Sequence, residues 1–145
     1  RDQPRSRGLG DVYKRQAGDQ YEGTYIHKRD GYYYLIVSTG DFMKDYHVVV
    51  GRSRSLMGPY VDRAGRDMLG VHHELVVGNG NGFVAPGHNA EFITDDKGQD
   101  WMLYHTRLEV GGPRYLLLDR IEWNDGWPEV RGHVPARSAE APVFE

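Results

Sequence analysis

The chain has 145 residues and no cysteine, which excludes disulfides and thiolate metal sites. Export is not excluded by this, since a secreted protein can fold without disulfides. No apolar run approaches the roughly 20 residues that a membrane-spanning helix needs. No signal-peptide pattern is present either. A basic surplus is lacking: 18 Lys and Arg face 21 Asp and Glu, for a net charge of -3. A nucleic-acid footprint needs a basic surface, so neither a nucleic acid nor a membrane is expected as a partner. Arg1, Arg5, Arg7, Lys14 and Arg15 do cluster near the start. No ten-residue window carries helical periodicity with caps.

What is plentiful is aromatic and glycine content: 10 Tyr, 4 Phe, 3 Trp and 19 Gly. This is the profile of an all-β domain with many turns. Tyr and Trp faces also stack on the apolar face of a sugar ring, although aromatics equally fill a β core.

Residues 1–16 show neither strand nor helix periodicity. Their end, GLGDVYKRQ, reads as a translated adapter, so 1–16 is expected to be non-native or disordered and 17–145 to be the domain. From Tyr21 strands are expected at Thr24 to Lys28, Tyr32 to Ser38 and Tyr46 to Gly51, with Asp30-Gly31 as a hairpin turn. Gly58-Pro59-Tyr60-Val61 turns into a short edge strand. The same order then recurs. Asn89 to Thr94 forms a strand, Asp95 to Gly98 its turn, Trp101 to His105 a central strand, Tyr115 to Trp123 the next, and Glu129-Val130 a last short one. The anchor positions Glu22 and His88 stand 66 residues apart. Two four-stranded meanders at fixed spacing are a propeller-blade signature, with a β-sandwich as the structural alternative. Two blades do not close a ring, so the chain is expected to begin inside a larger domain, whose N-terminal blades would be its partners.

Tyr21-Glu22-Gly23-Thr24-Tyr25-Ile26-His27-Lys28, followed by Asp30-Gly31-Tyr32-Tyr33-Tyr34-Leu35, resembles glycoside hydrolase family 43. Thr24 stands where that pattern usually has proline. Further matches follow in order: Val50-Gly51-Arg52-Ser53-x-Ser55 with Gly58-Pro59-Tyr60, Gly87-His88-Asn89, Asp100-Trp101 leading to Tyr104-His105, and Asp125-Gly126-Trp127-Pro128. The resemblance covers about residues 21–145.

It implies an all-β fold, the last two blades or so of a five-bladed β-propeller. It also implies an inverting glycoside hydrolase acting on plant-type pentose polysaccharides or oligosaccharides, arabinan or arabinofuranoside before xyloside. A secreted or periplasmic setting is compatible with it. The alternative is a non-catalytic carbohydrate-binding propeller. Inverting cleavage needs a carboxylic acid and a carboxylate base about 6.5–9.5 Å apart.

The family's acid corresponds to Glu22, placed at the opening of an innermost strand. Burial at the hub would suit an acid catalyst. The base and its modulating aspartate are expected upstream, since only Asp2, Asp11 and Asp19 precede Glu22, none in strand context. The chain alone is therefore expected to be inactive. His88 corresponds to a hub histidine that sits beside a calcium ion otherwise ringed by water, or that hydrogen-bonds substrate. Arg114, nine positions before Trp123, corresponds to a substrate-contacting arginine, with Arg120 as its rival. His72-His73-Glu74 lacks zincin spacing, and Gly78 to Gly82 lacks a phosphate-loop context; the latter reads as a flexible inter-blade loop.

Overall fold

The computed structural model describes residues 20–145. Residues 1–16, with Asp2 and Asp11, and likewise Asp19, lie outside the described residues. The rest is antiparallel β-structure, with 3-10 turns only at Met68–Gly70 and Arg131–His133 among the described residues. The first sheet is β1 (Glu22–Arg29), β2 (Tyr32–Thr39), β3 (His47–Ser53) and β4 (Glu74–Val77), hydrogen-bonded in that order. The second contains β5 (Val84–Gly87), β6 (Ile93–Thr94), β7 (Asp100–Arg107) and β8 (Tyr115–Arg120). A hairpin of β9 (Glu122–Asn124) and β10 (Trp127–Glu129) follows.

The turns behave as their residues dictate. Asp30 and Gly31 both take positive φ, 49° and 79°, and join Arg29 to its partner Tyr32 in a two-residue hairpin. Period-2 alternation then divides β2 between two cores. Tyr34 and Ile36, with Val48 and Val50 of β3, pack against Met102 and Tyr104 of β7, Ile121 and Trp127. Leu35 and Val37, with Val49, face Tyr21, Tyr60 and Met68 instead. Leu35, Ile36 and Val37 are fully buried, each worth about 1.5–3 kcal/mol of burial.

Several expectations need correction, among them the strand expected from Tyr115 to Trp123, which is divided into β8 and β9. The Gly58 to Val61 turn does reach the edge of β3, but only as an isolated bridge between Val61 and Arg52. The fourth strand is β4, further along. The stretch expected as one strand from Asn89 to Thr94 is strand only at Ile93–Thr94. Before it, β5 pairs with the far end of β7, so β5 and β6 share one edge of β7 with an interruption between them. Its cause is local: His88, just after β5, takes positive φ, 53°, and breaks the extended run, while Ala85 at 54° marks a register shift within β5 itself. Consequently Glu22 opens β1 whereas His88 follows β5, and the 66-residue spacing does not relate equivalent strand positions.

The Gly78 to Gly82 segment, finally, is a loop but a pinned one. The Asn79 side chain donates to the Lys44 carbonyl and accepts from the Ala85 amide, while Asn81 donates to the Pro135 carbonyl.

Candidate active site

Three neighbouring strand ends converge at one end of the first sheet. Glu22 opens β1 and is in register with Ser38 near the end of β2. Ser38 is in turn opposite Val48, so Tyr46, just before β3, comes alongside. A register shift between Glu22 and Tyr25 marks a β-bulge, a device that re-aims side chains. The second sheet reaches this corner through the bend after β5, where the His88 amide donates to Ser38 Oγ at 2.8 Å. Gly23 closes the approach, since a Cβ there would lie 3.4 Å from His88 Cα and Cγ.

The Tyr46 hydroxyl donates to Glu22 Oε1 at 2.6 Å. Tyr46 is buried at 2% exposure while Glu22 is exposed. The expected burial of Glu22 is therefore not supplied by the described residues, because β1 begins at an open edge of the cluster. Burial pushes the Tyr46 phenol well above its ordinary range, and the Glu22 carboxylate adds to this. The neighbouring Ser38 side chain and the positive charge of Arg114 act the other way. Tyr46 thus stays protonated and remains a donor.

His105 of β7 completes the group. Its ring lies nearly parallel to Tyr46 at 6.0 Å and 21°, and nearly parallel to His88 at 6.2 Å and 19°. Burial lowers the pKa of His105, and the charges of Arg114, His88 and Arg107 lower it further. Its neutral form is thereby favoured, against the opposing charge of Glu22, and among the described residues its buried Nδ1 has no hydrogen-bond partner.

Arg114, exposed just before β8, contributes positive charge to both Tyr46 and His105. Its rival Arg120 sits opposite Trp101 at the far end of β8 and lines a different cavity. Two loops frame the cluster and are tied together. The Gly111 amide donates to the Met43 carbonyl at 3.0 Å. Arg107 donates to the carbonyls of Phe42 and Gly112.

Glu22, His88 and Arg114 are therefore brought to one corner. Sequence reasoning gave no role to Tyr46, Ser38 or His105. His105 ended a recognised motif, which was a usable signal; the other two are brought to Glu22 by cross-strand register. The arrangement offers one carboxyl with an oxygen engaged and the other open, beside an exposed histidine and arginine that can donate to hydroxyls. Among the described residues no second carboxylate is hydrogen-bonded into the cluster, and no group of three His, Asp or Glu side chains is placed to hold a metal. These residues do not form a calcium cage by themselves; His88 would be one ligand among waters.

A cavity of about 550 Å³ lies elsewhere, between Trp101, Asp119 and the tail from Ala136 to Val143. It touches none of the cluster residues, and the chemistry of Glu22 decides in favour of the corner.

The comparisons with known proteins follow this geometry. The pattern of Glycosyl hydrolases family 43 matches residues 5–128. The chain belongs to this family. It is 34% identical over 122 residues to an extracellular exo-alpha-(1->5)-L-arabinofuranosidase of Cellvibrio japonicus, covering 79% of this chain and 35% of that protein. It is 29% identical to a xylan 1,3-beta-xylosidase of a Vibrio species, covering 83% of this chain and 25% of that one. Among solved structures, an alpha-L-arabinanase of Cellvibrio cellulosa in complex with arabinohexaose superposes with a TM-score of 0.68 at 34% identity. That superposition covers 77% of this chain and 36% of the arabinanase. The chain thus spans about a third of the length of its arabinan-acting relatives.

Proposed function

We propose that this family 43 chain forms two adjacent blades of a five-bladed propeller, in a whole protein that hydrolyses glycosidic bonds of arabinan or arabinofuranosides with inversion. The arabinan-acting names among the relatives support this substrate over xylosides. The exposed outer face of the second sheet supports further blades. Leu116 and Leu118 project there at 72% and 38% exposure, opposite His105 and Leu103 across the ladder.

The observation that carries the catalytic reading is the Glu22 carboxyl, held on one oxygen by Tyr46 and open on the other. Glu22 acts as general acid and protonates the departing glycosidic oxygen. A carboxylate outside the described residues activates the attacking water from the opposite face of the sugar, about 6.5–9.5 Å away. Arg114 and His88 donate to sugar hydroxyls and hold the ring in place. A calcium ion with His88 and waters as its ligands belongs to the same proposal; it would supply positive charge to the hub, and its removal by chelator should lower the melting temperature of the whole protein.

The test is Glu22→Gln in the whole protein. Gln keeps size and hydrogen bonding but has no proton to give. Arabinan cleavage should fall by on the order of 100-fold or more, while an activated aryl arabinofuranoside, whose leaving group departs as an anion, is comparatively spared. Equal losses on both substrates would remove Glu22 from the acid role. Sugar binding with no cleavage by the unsubstituted whole protein would favour a carbohydrate-binding propeller instead.

A further inference from the structure

The hydrogen bonds around Glu22 have a fixed direction. Tyr46 has one hydroxyl proton, and the geometry commits it to Glu22 Oε1. Ser38 lies beside the phenol, and its oxygen accepts from the His88 amide at 2.8 Å. The bond that reaches Glu22 is the one from Tyr46.

Tyr46 is anchored by packing. It is buried at 2% exposure, beside the fully buried Ser38. The Tyr46 ring is flanked by His105 on β7 and by Gly87, where a Cβ would collide with the ring. Glu22, by contrast, is exposed and its backbone stands at a bulge. An exposed glutamate has several rotamers and two equivalent oxygens. Among the described residues, the Tyr46 hydroxyl is the donor that distinguishes those oxygens.

We infer that Tyr46 is the positioning residue of the general acid. It occupies Oε1, so that the acid proton resides on Oε2 and points into the open side of the cluster, with His105 and Gly87 holding the phenol ring in place. This rests on the reading of Glu22 as the acid. No bond to substrate is made by Tyr46 and no proton leaves it. In each turnover Oε2–H gives its proton to the glycosidic oxygen, and Oε1 stays hydrogen-bonded throughout.

The test compares Tyr46→Phe and Glu22→Gln in the whole protein, each on arabinan and on an activated aryl arabinofuranoside. Phe keeps the ring against His105 and Gly87 and removes only the donor. For Tyr46→Phe, kcat on arabinan should fall by about 10- to 100-fold, the size expected for a lost hydrogen bond to a charged group, with KM within about twofold. On the aryl substrate kcat should change by less than about threefold, since little protonation is needed there. If Tyr46→Phe melts early, the same comparison is made below its melting transition, with the ratio of the two losses as the readout. A residue that only supports the fold would lower both substrates alike. Equal losses, or an unchanged kcat on arabinan, while Glu22→Gln retains its leaving-group-dependent loss, would overturn the role of Tyr46 and leave the acid in place. If Glu22→Gln itself fails to distinguish the substrates, the acid reading falls and this one with it.

Discussion

A Cβ placed on Gly87 would stand 2.2 Å from Cδ1 of Tyr46, well inside van der Waals contact. The backbone of β5 and the phenol ring are thus in direct contact across the two sheets. Gly87→Ala must displace a fully packed ring, an overpacking cost of about 1–3 kcal/mol. We expect a lower melting temperature for the chain, together with loss of the Tyr46 hydrogen bond to Glu22. An unchanged melting temperature would mean that the two sheets adjust freely at this seam.

Tyr104 and Asp119 form a buried pair on β7 and β8, with the phenol donating to Oδ2 at 2.5 Å. Burial raises the pKa of Asp119, against the hydrogen bonds from Tyr104 and the Ala136 amide. Tyr104→Phe leaves the carboxyl short of a donor, at a cost of about 1–3 kcal/mol. Asp119→Asn keeps an acceptor of the same shape without the charge and should cost less. Thermal melts of the two variants decide the order; the reverse order would show that the carboxylate charge itself stabilises the fold.

Three histidines, His27, His73 and His105, have pKa values lowered chiefly by burial. The unfolded chain takes up protons at each below about pH 6.5, while the folded chain resists until lower pH. Their contribution to stability is therefore fully present above about pH 6.5 and is lost as pH falls from there toward the folded values. The urea midpoint should be lower at pH 5.5 than at pH 7.5, and His73→Gln should reduce the difference. A flat profile between these values would show that the histidines are solvated in the fold.

The legible and illegible parts of this chain differ for physical reasons. β1 to β3 were readable because Asp30-Gly31 requires a hairpin and the apolar run of β2 demands burial on both faces. β6 was overextended because His88 takes positive φ just before it, and β5 was missed because it is short and irregular, with Ala85 at positive φ where its pairing register shifts. β4 was displaced by the prominence of the Gly58-Pro59 turn, which yields one bridge rather than a strand. At the site, Glu22, His88 and Arg114 were found through motif resemblance. Tyr46 and Ser38 depend on which residues face each other across three strands, and register does not show in a linear reading.

The chain alone should show no turnover on arabinan or on an aryl arabinofuranoside. Glu22 has no partner carboxylate among the described residues, and loss of one member of an acid–base pair removes roughly 100- to 10,000-fold of rate. Measurable turnover by the pure chain would mean that the base lies within it.

The outer face of the second sheet gives the propeller reading a separate test. Leu116 and Leu118 of β8 lie on one face, with Leu103 and His105 opposite them on β7. The other face of β7 carries Met102 and Tyr104 into the shared core. Exposed leucines on a sheet face are an association hazard when nothing covers them. If the neighbouring blade of the whole protein covers them, the double substitution Leu116→Lys, Leu118→Lys will act in opposite directions in two contexts. In the isolated chain it should leave the melting temperature within a few degrees and reduce self-association, read by light scattering. In the whole protein it would bury two ammonium groups against an apolar blade, which is strongly unfavourable without partners. There we expect a large drop in melting temperature and loss of activity. If the whole protein tolerates both lysines with its melting temperature intact, this face is open to solvent in it, and the second sheet is not followed by another blade on that side.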